Sequence, residues 1–202
     1  MATKSTNLAN LLLLSGGLFL LSSLSILAVT YLPLAKQEVI YELKQKSAKP
    51  EIEVTPVNTD FGLVIRKIGA NAAVIANVDP FNSREYQTAL SRGIAHAKGT
   101  ALPDQPGNVF LFSHSSADFL TATRYNSVFY LLDKLIPGDQ VELYYQGKKY
   151  IYDLTKKVIT SPEEISYLTG DSNKQTLTLM TCWPPGTSLK RLIWQAELVR
   201  VQ

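Results

Sequence analysis

The order of apolar and polar positions divides the chain into three stretches. From Leu8 to Val29 apolar residues dominate, and no charged residue occurs between Lys4 and Lys36. A helix of about 20 such residues can cross a bilayer core. The diluting residues Ser15, Gly16, Gly17, Ser22, Ser23 and Ser25 are small, which membrane helices tolerate. The run exceeds the ~7–15-residue apolar core of a cleaved signal peptide, and Leu27-Ala28-Val29 is a poor small-x-small cleavage site. Residues 1–35 are therefore expected to form an uncleaved anchor that spans the bilayer with 8–29. No second span returns the chain, so the N-terminus is expected inside and the remainder outside. Residues 36–59, "KQEVIYELKQKSAKPEIEVTP" and onward, mix charges with Pro50 and Pro56 and read as a stalk. Its first half either extends the helix or forms a short one, and the prolines then favour extended chain.

From Asp60 to Gln202 the period becomes that of strands. "FGLVIRKIG" (61–69) and "AAVIA" (72–76) are short and β-branched, and "NVFLFSH" (108–114) follows a Pro/Gly-rich loop. "DQVELYYQGKKYIYDLTKKVIT" (139–160) alternates on both sides of Gln146-Gly147-Lys148 and predicts a hairpin. "QTLTLMT" (175–181) and "RLIWQAELVRV" (191–201) predict two more strands. Helices are few. Residues 83–91 predict one, with Asn82 as its cap, Glu85 three residues on as in a capping box, and Phe81 and Tyr86 at staple positions. Residues 127–135 predict a second, closed by Pro137-Gly138, and a turn or two follows Pro162. Many short strands with sparse helices predict a mainly β domain, a small closed or nearly closed barrel.

Composition narrows the chemistry. Of 202 residues 46% are hydrophobic, enough for a core, and the net charge is only +3. No basic, aromatic-interleaved patch points to nucleic acid. A single cysteine excludes an internal disulfide and a Cys-based zinc cluster, and two histidines make a His-rich metal site a poor fit. What remains is Cys182, delivered by the 175–181 strand onto Trp183-Pro184-Pro185-Gly186. A lone cysteine is either small core filling or a nucleophile. A nucleophilic thiol needs a proton carrier and a group for the oxyanion. His114 ends an apolar strand where side chains emerge from a core, whereas His96 sits in "GIAHAKG", a Gly-bounded loop. Arg191 opens the strand after the Pro-Pro-Gly turn. If the strands carrying Cys182 and Arg191 are antiparallel neighbours, both side chains face one pocket. With imidazole near 6.5 and thiol near 8.5, both are mostly neutral at pH 7. Activity then comes from a stabilised ion pair or from a minor reverse-protonated fraction.

"TLMTC" (178–182) fits the Thr-Leu-x-Thr-Cys signature of sortases, the membrane-anchored cysteine transpeptidases of bacterial surfaces. "GIAHAKGTALPDQPGNVFLFSHS" (93–115) resembles the sortase segment that leads into the catalytic-histidine strand. "TCWPPGTSLKRLIW" (181–194) resembles the stretch from catalytic cysteine to catalytic arginine. The resemblance covers roughly residues 60–200. It implies an eight-stranded β-barrel, Cys182 as nucleophile, His114 as general acid/base, and Arg191 as the holder of substrate and oxyanion. It places His96 at the family's non-catalytic histidine, gives Thr181 a part in positioning substrate or oxyanion, and leaves Trp183 to line the pocket or cap the barrel. It further implies cleavage of an LPXTG-like C-terminal sorting signal through a thioacyl enzyme. The acceptor would be an amine of a cell-wall precursor or a pilin lysine, at the bacterial cell membrane with the catalytic domain outside. A hydrolase of the same fold, or a non-catalytic surface-binding module, are the rival readings. Ser115 stands where several sortase classes carry arginine. Asp79-Pro80-Phe81 is similar to the lid motif of pilin-building sortases, but it follows the second strand and is expected to be a turn into the 83–91 helix. No cofactor is expected. Calcium, known in some sortases, would need Asp118 together with Glu163 and Glu164.

Overall fold

A computed structural model describes residues 3–46, 54–115, 128–169 and 173–202; in the first of these segments the side chains described are those of 13–29, 32 and 35–43. The chain divides into two units, residues 1–40 and 41–202. The first holds most of helix α1 (Thr3–Lys46), whose last turns, from Tyr41, belong to the second and run into the stretch expected to begin the stalk. Its side chains from 13 to 29 are all exposed, Leu13, Leu14, Leu18 and Phe19 by 70% or more. Among the described residues no helix is long and apolar enough to cross a membrane. The expected span of 8–29 is therefore not shown. Residues 47–53 of the expected stalk lie outside the described residues. Its last part, 54–59, has no regular structure and is fastened to the barrel. There the Val57 N–H donates to Asn71 Oδ1 (2.9 Å), and Asn71 Nδ2 donates to the Thr55 carbonyl (2.8 Å).

The second unit is built on eight strands: β1 (Phe61–Ile65), β2 (Ala70–Val78), β3 (Ile94–Ala97), β4 (Gly107–Phe112), β5 (Gln140–Tyr145), β6 (Lys148–Thr160), β7 (Gln175–Trp183) and β8 (Lys190–Val201). They close into a barrel in the order β1-β2-β3-β4-β7-β8-β6-β5. Pairing is antiparallel except between β2 and β3 and between β4 and β7. Side chains alternate across a strand, so one set fills the barrel and the other covers it. Leu63, Leu111, Leu143, Leu177, Leu179 and Trp194 lie in the interior cluster and are fully buried. Phe110 and Phe112, from the opposite face of β4, belong to a second cluster outside the barrel wall, with Val78, Ala95 and Ala97. Helix α2 (Ser83–Leu90) covers that cluster with Ala89 and Leu90, and Tyr167 and Leu168 cover it from the β6–β7 connection. The outer face of β4 and β7 is thus buried at Phe112 and Thr178 and opens toward Met180 and Cys182.

Local chemistry explains most of these elements. Asn82 caps α2, its Oδ1 accepting from the Glu85 N–H (3.3 Å), while Glu85 reaches back to the Asp79 N–H (2.9 Å). Asp79 Oδ1 accepts from the Phe81 N–H (2.9 Å), so Asp79-Pro80-Phe81 is the expected turn. The staple does not form in the expected way, because Phe81 is 72% exposed while Tyr86 turns onto Phe112. Gln146 and Gly147 both take positive φ, 49° and 77°, the twisted turn that suits a two-residue hairpin.

Two expectations are corrected. The segment 127–135 is not an α-helix: Ser127 lies outside the described residues, 128–131 is turn, and Leu132–Lys134 is a single 3-10 turn. Burial decides it. Phe129, Leu132 and Leu135 all point into the barrel cluster, and the Trp194 indole N–H takes the Leu132 carbonyl at 3.0 Å, an acceptor that a continuing helix would have used. "GIAHAKG" is not a loop around His96 but contains β3, buried at all four positions.

Candidate active site

Strand β7 presents its odd and even residues to different surroundings. Leu177, Leu179 and Thr181 are buried, the leucines in the barrel cluster, while Met180 packs on the outer cluster. Cys182 therefore emerges on the outer face, where it is partly exposed and unpaired as a thiol. Antiparallel β8 sets Arg191 directly opposite Cys182 in the register. On the other flank, parallel β4 pairs Phe112 with Met180. The join continues past the end of β4, since the Ser113 N–H donates to the Met180 carbonyl at 3.2 Å. Carried two residues on from Phe112 and Met180, the same register would set His114 level with Cys182. One strand thus carries Cys182 between the strand that begins with Lys190 and Arg191 and the strand that leads to His114.

The turn after Cys182 is built to bring the chain back. Pro185 and Gly186 are the central residues, Gly186 has φ 80°, and the Thr187 N–H closes onto the Pro184 carbonyl at 3.0 Å. Proline followed by a positive-φ glycine is the requirement of a type II turn. The Trp183–Pro184 peptide is cis. The Trp183 side chain packs partly buried against the barrel cluster.

Arg191 is held toward its own loop, one terminal nitrogen donating to the carbonyls of Ser188 (3.2 Å) and Lys190 (3.1 Å). Glu163, in the β6–β7 connection, is close enough for the guanidinium to act on its charge. The carboxyl is held below the usual glutamate range first by its own backbone N–H and the Ser161 hydroxyl, and then by the field of Arg191. Thr181 is 2% exposed, and its hydroxyl donates to the Ser113 carbonyl at 2.9 Å. That bond stitches the residue before Cys182 to the residue before His114. His114 Nε2 lies 3.2 Å from Gln87 Oε1 on α2.

The second histidine is different in kind. His96 is fully buried. The Asn77 N–H donates to its Nδ1 (3.2 Å), so Nε2 carries the proton, and it faces the Ala101 carbonyl (3.0 Å) and Thr100 Oγ1 (3.0 Å). Burial pushes its pKa down, against the smaller upward pull of the Ala101 carbonyl. A neutral ring that uses both nitrogens on the fold is a structural histidine.

The register pairs Cys182 with Arg191, and His114 follows two residues after the β4 residue that pairs with Met180. Thr181 lies beneath them rather than in the cleft. Asp118 lies outside the described residues, and among the described residues no group of three or more His, Cys, Asp or Glu side chains could hold a metal ion. One polar neighbour, Gln87, carried no sequence signal, because its hydrogen bond to His114 joins residues 27 apart in the chain.

Comparison with known proteins fits this geometry. Residues 63–199 match the family model of the Sortase domain. The chain is 28% identical over 134 residues to Sortase D of Bacillus subtilis (strain 168), covering 65% of this chain. It spans 59% of the length of that curated relative. Among solved structures it is similar to Sortase E1 from Streptomyces coelicolor with a tripeptide in the active site. That likeness has a TM-score of 0.58 and 25% identity, over 72% of this chain and 90% of that one. A Clostridium perfringens Sortase D5 transpeptidase shares the fold with a TM-score of 0.57 and 21% identity, over 85% of this chain and 96% of that one.

Proposed function

The chain belongs to the sortase family, and on that premise we propose that it is a cysteine transpeptidase acting on C-terminal sorting signals of secreted proteins. The observation that carries the reading is the register that sets Cys182 opposite Arg191 and, across β7, beside the end of β4 that bears His114.

The steps follow from those positions. The Cys182 thiolate attacks the carbonyl of a Thr–Gly-type bond, and the oxyanion that forms is met by the Arg191 guanidinium. The C–N bond breaks as His114 gives its proton to the leaving amine, leaving a thioester on Cys182. An incoming amine then attacks the thioester, His114 takes its proton, and the thiolate departs. The acceptor is an amine of a cell-wall precursor or a pilin lysine. The scissile bond is met at the end of β7, where Cys182 is partly exposed, beyond the part of the β4–β7 outer face that α2, Tyr167 and Leu168 cover.

The anchor belongs to the same proposal. A helix that is uncharged from residue 5 to 35 and exposes apolar side chains all round from 13 to 29 has no other way to bury them than in lipid or another protein. We place 8–29 across the bacterial membrane, with the catalytic domain outside.

The test is a product analysis with the full chain in detergent, a Leu-Pro-x-Thr-Gly peptide and a panel of amines. Amide product that rises with amine concentration supports transpeptidation. Free acid alone at every amine concentration makes the enzyme a hydrolase, and an uncleaved peptide makes it a binding module.

A further inference from the structure

Helix α2 does more than cover the outer cluster. Tyr86 meets Phe112 edge-on, with ring centroids 6.4 Å apart, and Phe112 is two residues before His114. The next residue on the helix, Gln87, is thereby brought over the end of β4, and its Oε1 lies 3.2 Å from His114 Nε2. The helix cannot easily drift, because its start is capped by Asn82 and tied to Asp79 through Glu85, and its end is buried through Ala89 and Leu90. A carboxamide oxygen can only accept. With Oε1 toward the ring, the imidazole nitrogen facing it carries a proton, in the neutral ring as in the imidazolium.

We infer that Gln87 is a positioning residue for the transpeptidase reaction: it fixes the orientation of His114, holds the proton on Nε2 and favours the imidazolium. This rests on the reading of His114 as the acid/base. Charged and titratable groups lie on the elements packed around His114. Cys182 lies beside it on β7, Arg191 lies beyond on β8 with Glu163 near that guanidinium, and Tyr86 lies on α2. Arg84, Glu85 and Arg92 of α2 line a cavity of about 400 Å³ against Ile75, Ala76 and Val78 of β2, on the other flank of the helix.

An acceptor at Nε2 stabilises the protonated ring, so its removal lowers the His114 pKa and a carboxylate in its place raises it. A hydrogen bond of ordinary net strength corresponds to about a three- to tenfold effect. The experiment follows His114 by nitrogen-edited NMR titration in the full chain in detergent, as wild type and as Gln87→Leu and Gln87→Glu. Expected are an Nε2–H tautomer in the wild-type neutral ring, loss of that preference with a lower His114 pKa in Gln87→Leu, and a higher pKa in Gln87→Glu. Acylation kinetics run in parallel: Gln87→Leu lowers kcat about three- to tenfold with KM nearly unchanged, and Gln87→Glu moves the acidic and basic limbs of the pH profile apart from those of Gln87→Leu. Unchanged tautomer and pKa in both variants overturn the inference. Should His114→Ala still form acyl-enzyme, the acid/base reading falls while the hydrogen bond measured by NMR stands.

Discussion

His96 and His114 share a side chain and little else. The buried ring at 96 must stay neutral, so the folded protein resists a proton that the unfolded chain accepts near 6.5. Stability is then full above that pH and falls as pH drops below it, by about 1.4 kcal/mol per pH unit until the folded ring itself titrates. Thermal unfolding between pH 7.5 and 5 checks this, and His96→Asn should flatten the slope while lowering stability throughout. His114→Ala leaves the fold intact and cuts acyl-enzyme formation by orders of magnitude, as does Arg191→Ala. A dead His96→Ala that is fully folded, alongside an active His114→Ala, would reverse the assignment. Two neighbouring hydroxyls divide in the same way. Thr181 spends its hydroxyl on the Ser113 carbonyl, and Thr181→Val should cost about 1 kcal/mol and slow acylation by loosening β4 against β7. The Ser113 hydroxyl is buried with no hydrogen-bond partner among the described residues, so Ser113→Ala should be neutral or stabilising in the same unfolding assay.

At the scale of elements, the β7–β8 hairpin makes the site and the β6–β7 connection walls it. Asn108, 7% exposed at the start of β4, accepts from Thr176 (3.2 Å) and Thr178 (2.9 Å) of β7, and its Nδ2 donates to the Tyr167 carbonyl (3.0 Å). One amide therefore ties two strands and the connection that crosses them. Asn108→Ala strands two threonine hydroxyls and a carbonyl, and should cost about 1–3 kcal/mol. Hydrogen exchange should rise across 161–169 before it rises in β8, and equal protection in both proteins would argue against the tie. The hairpins were legible because alternation and turn chemistry are local: Gln146-Gly147 and Pro185-Gly186 state their turns in two residues. The short strand β3 was not. Four residues of "IAHA" carry too little alternation, and His96 is acceptable inside a sheet only because Asn77 and Ala101, distant in sequence or beyond the strand, satisfy it. The segment 128–135 failed for the converse reason, its helical propensity yielding to the burial of Phe129, Leu132 and Leu135.

At the scale of the whole molecule, eight strands close one small barrel. Closure removes every strand edge, and the strand order lets β7, central between β4 and β8, carry the thiol with a partner on each side. The antiparallel pairing of Cys182 with Arg191 was legible from their spacing and from the turn between them. The link from His114 to Gln87 was not, since it exists only once α2 has docked on Phe112. The central claim is that Cys182 forms a thioacyl enzyme, and intact-mass spectrometry of the full chain with a library of sorting-signal peptides tests it most directly. The predicted result is one adduct, equal to the acyl fragment of the preferred peptide, located on Cys182, discharged by an added amine and absent in Cys182→Ala. An unmodified wild-type chain across the whole library, or an adduct that survives in Cys182→Ala, would contradict it.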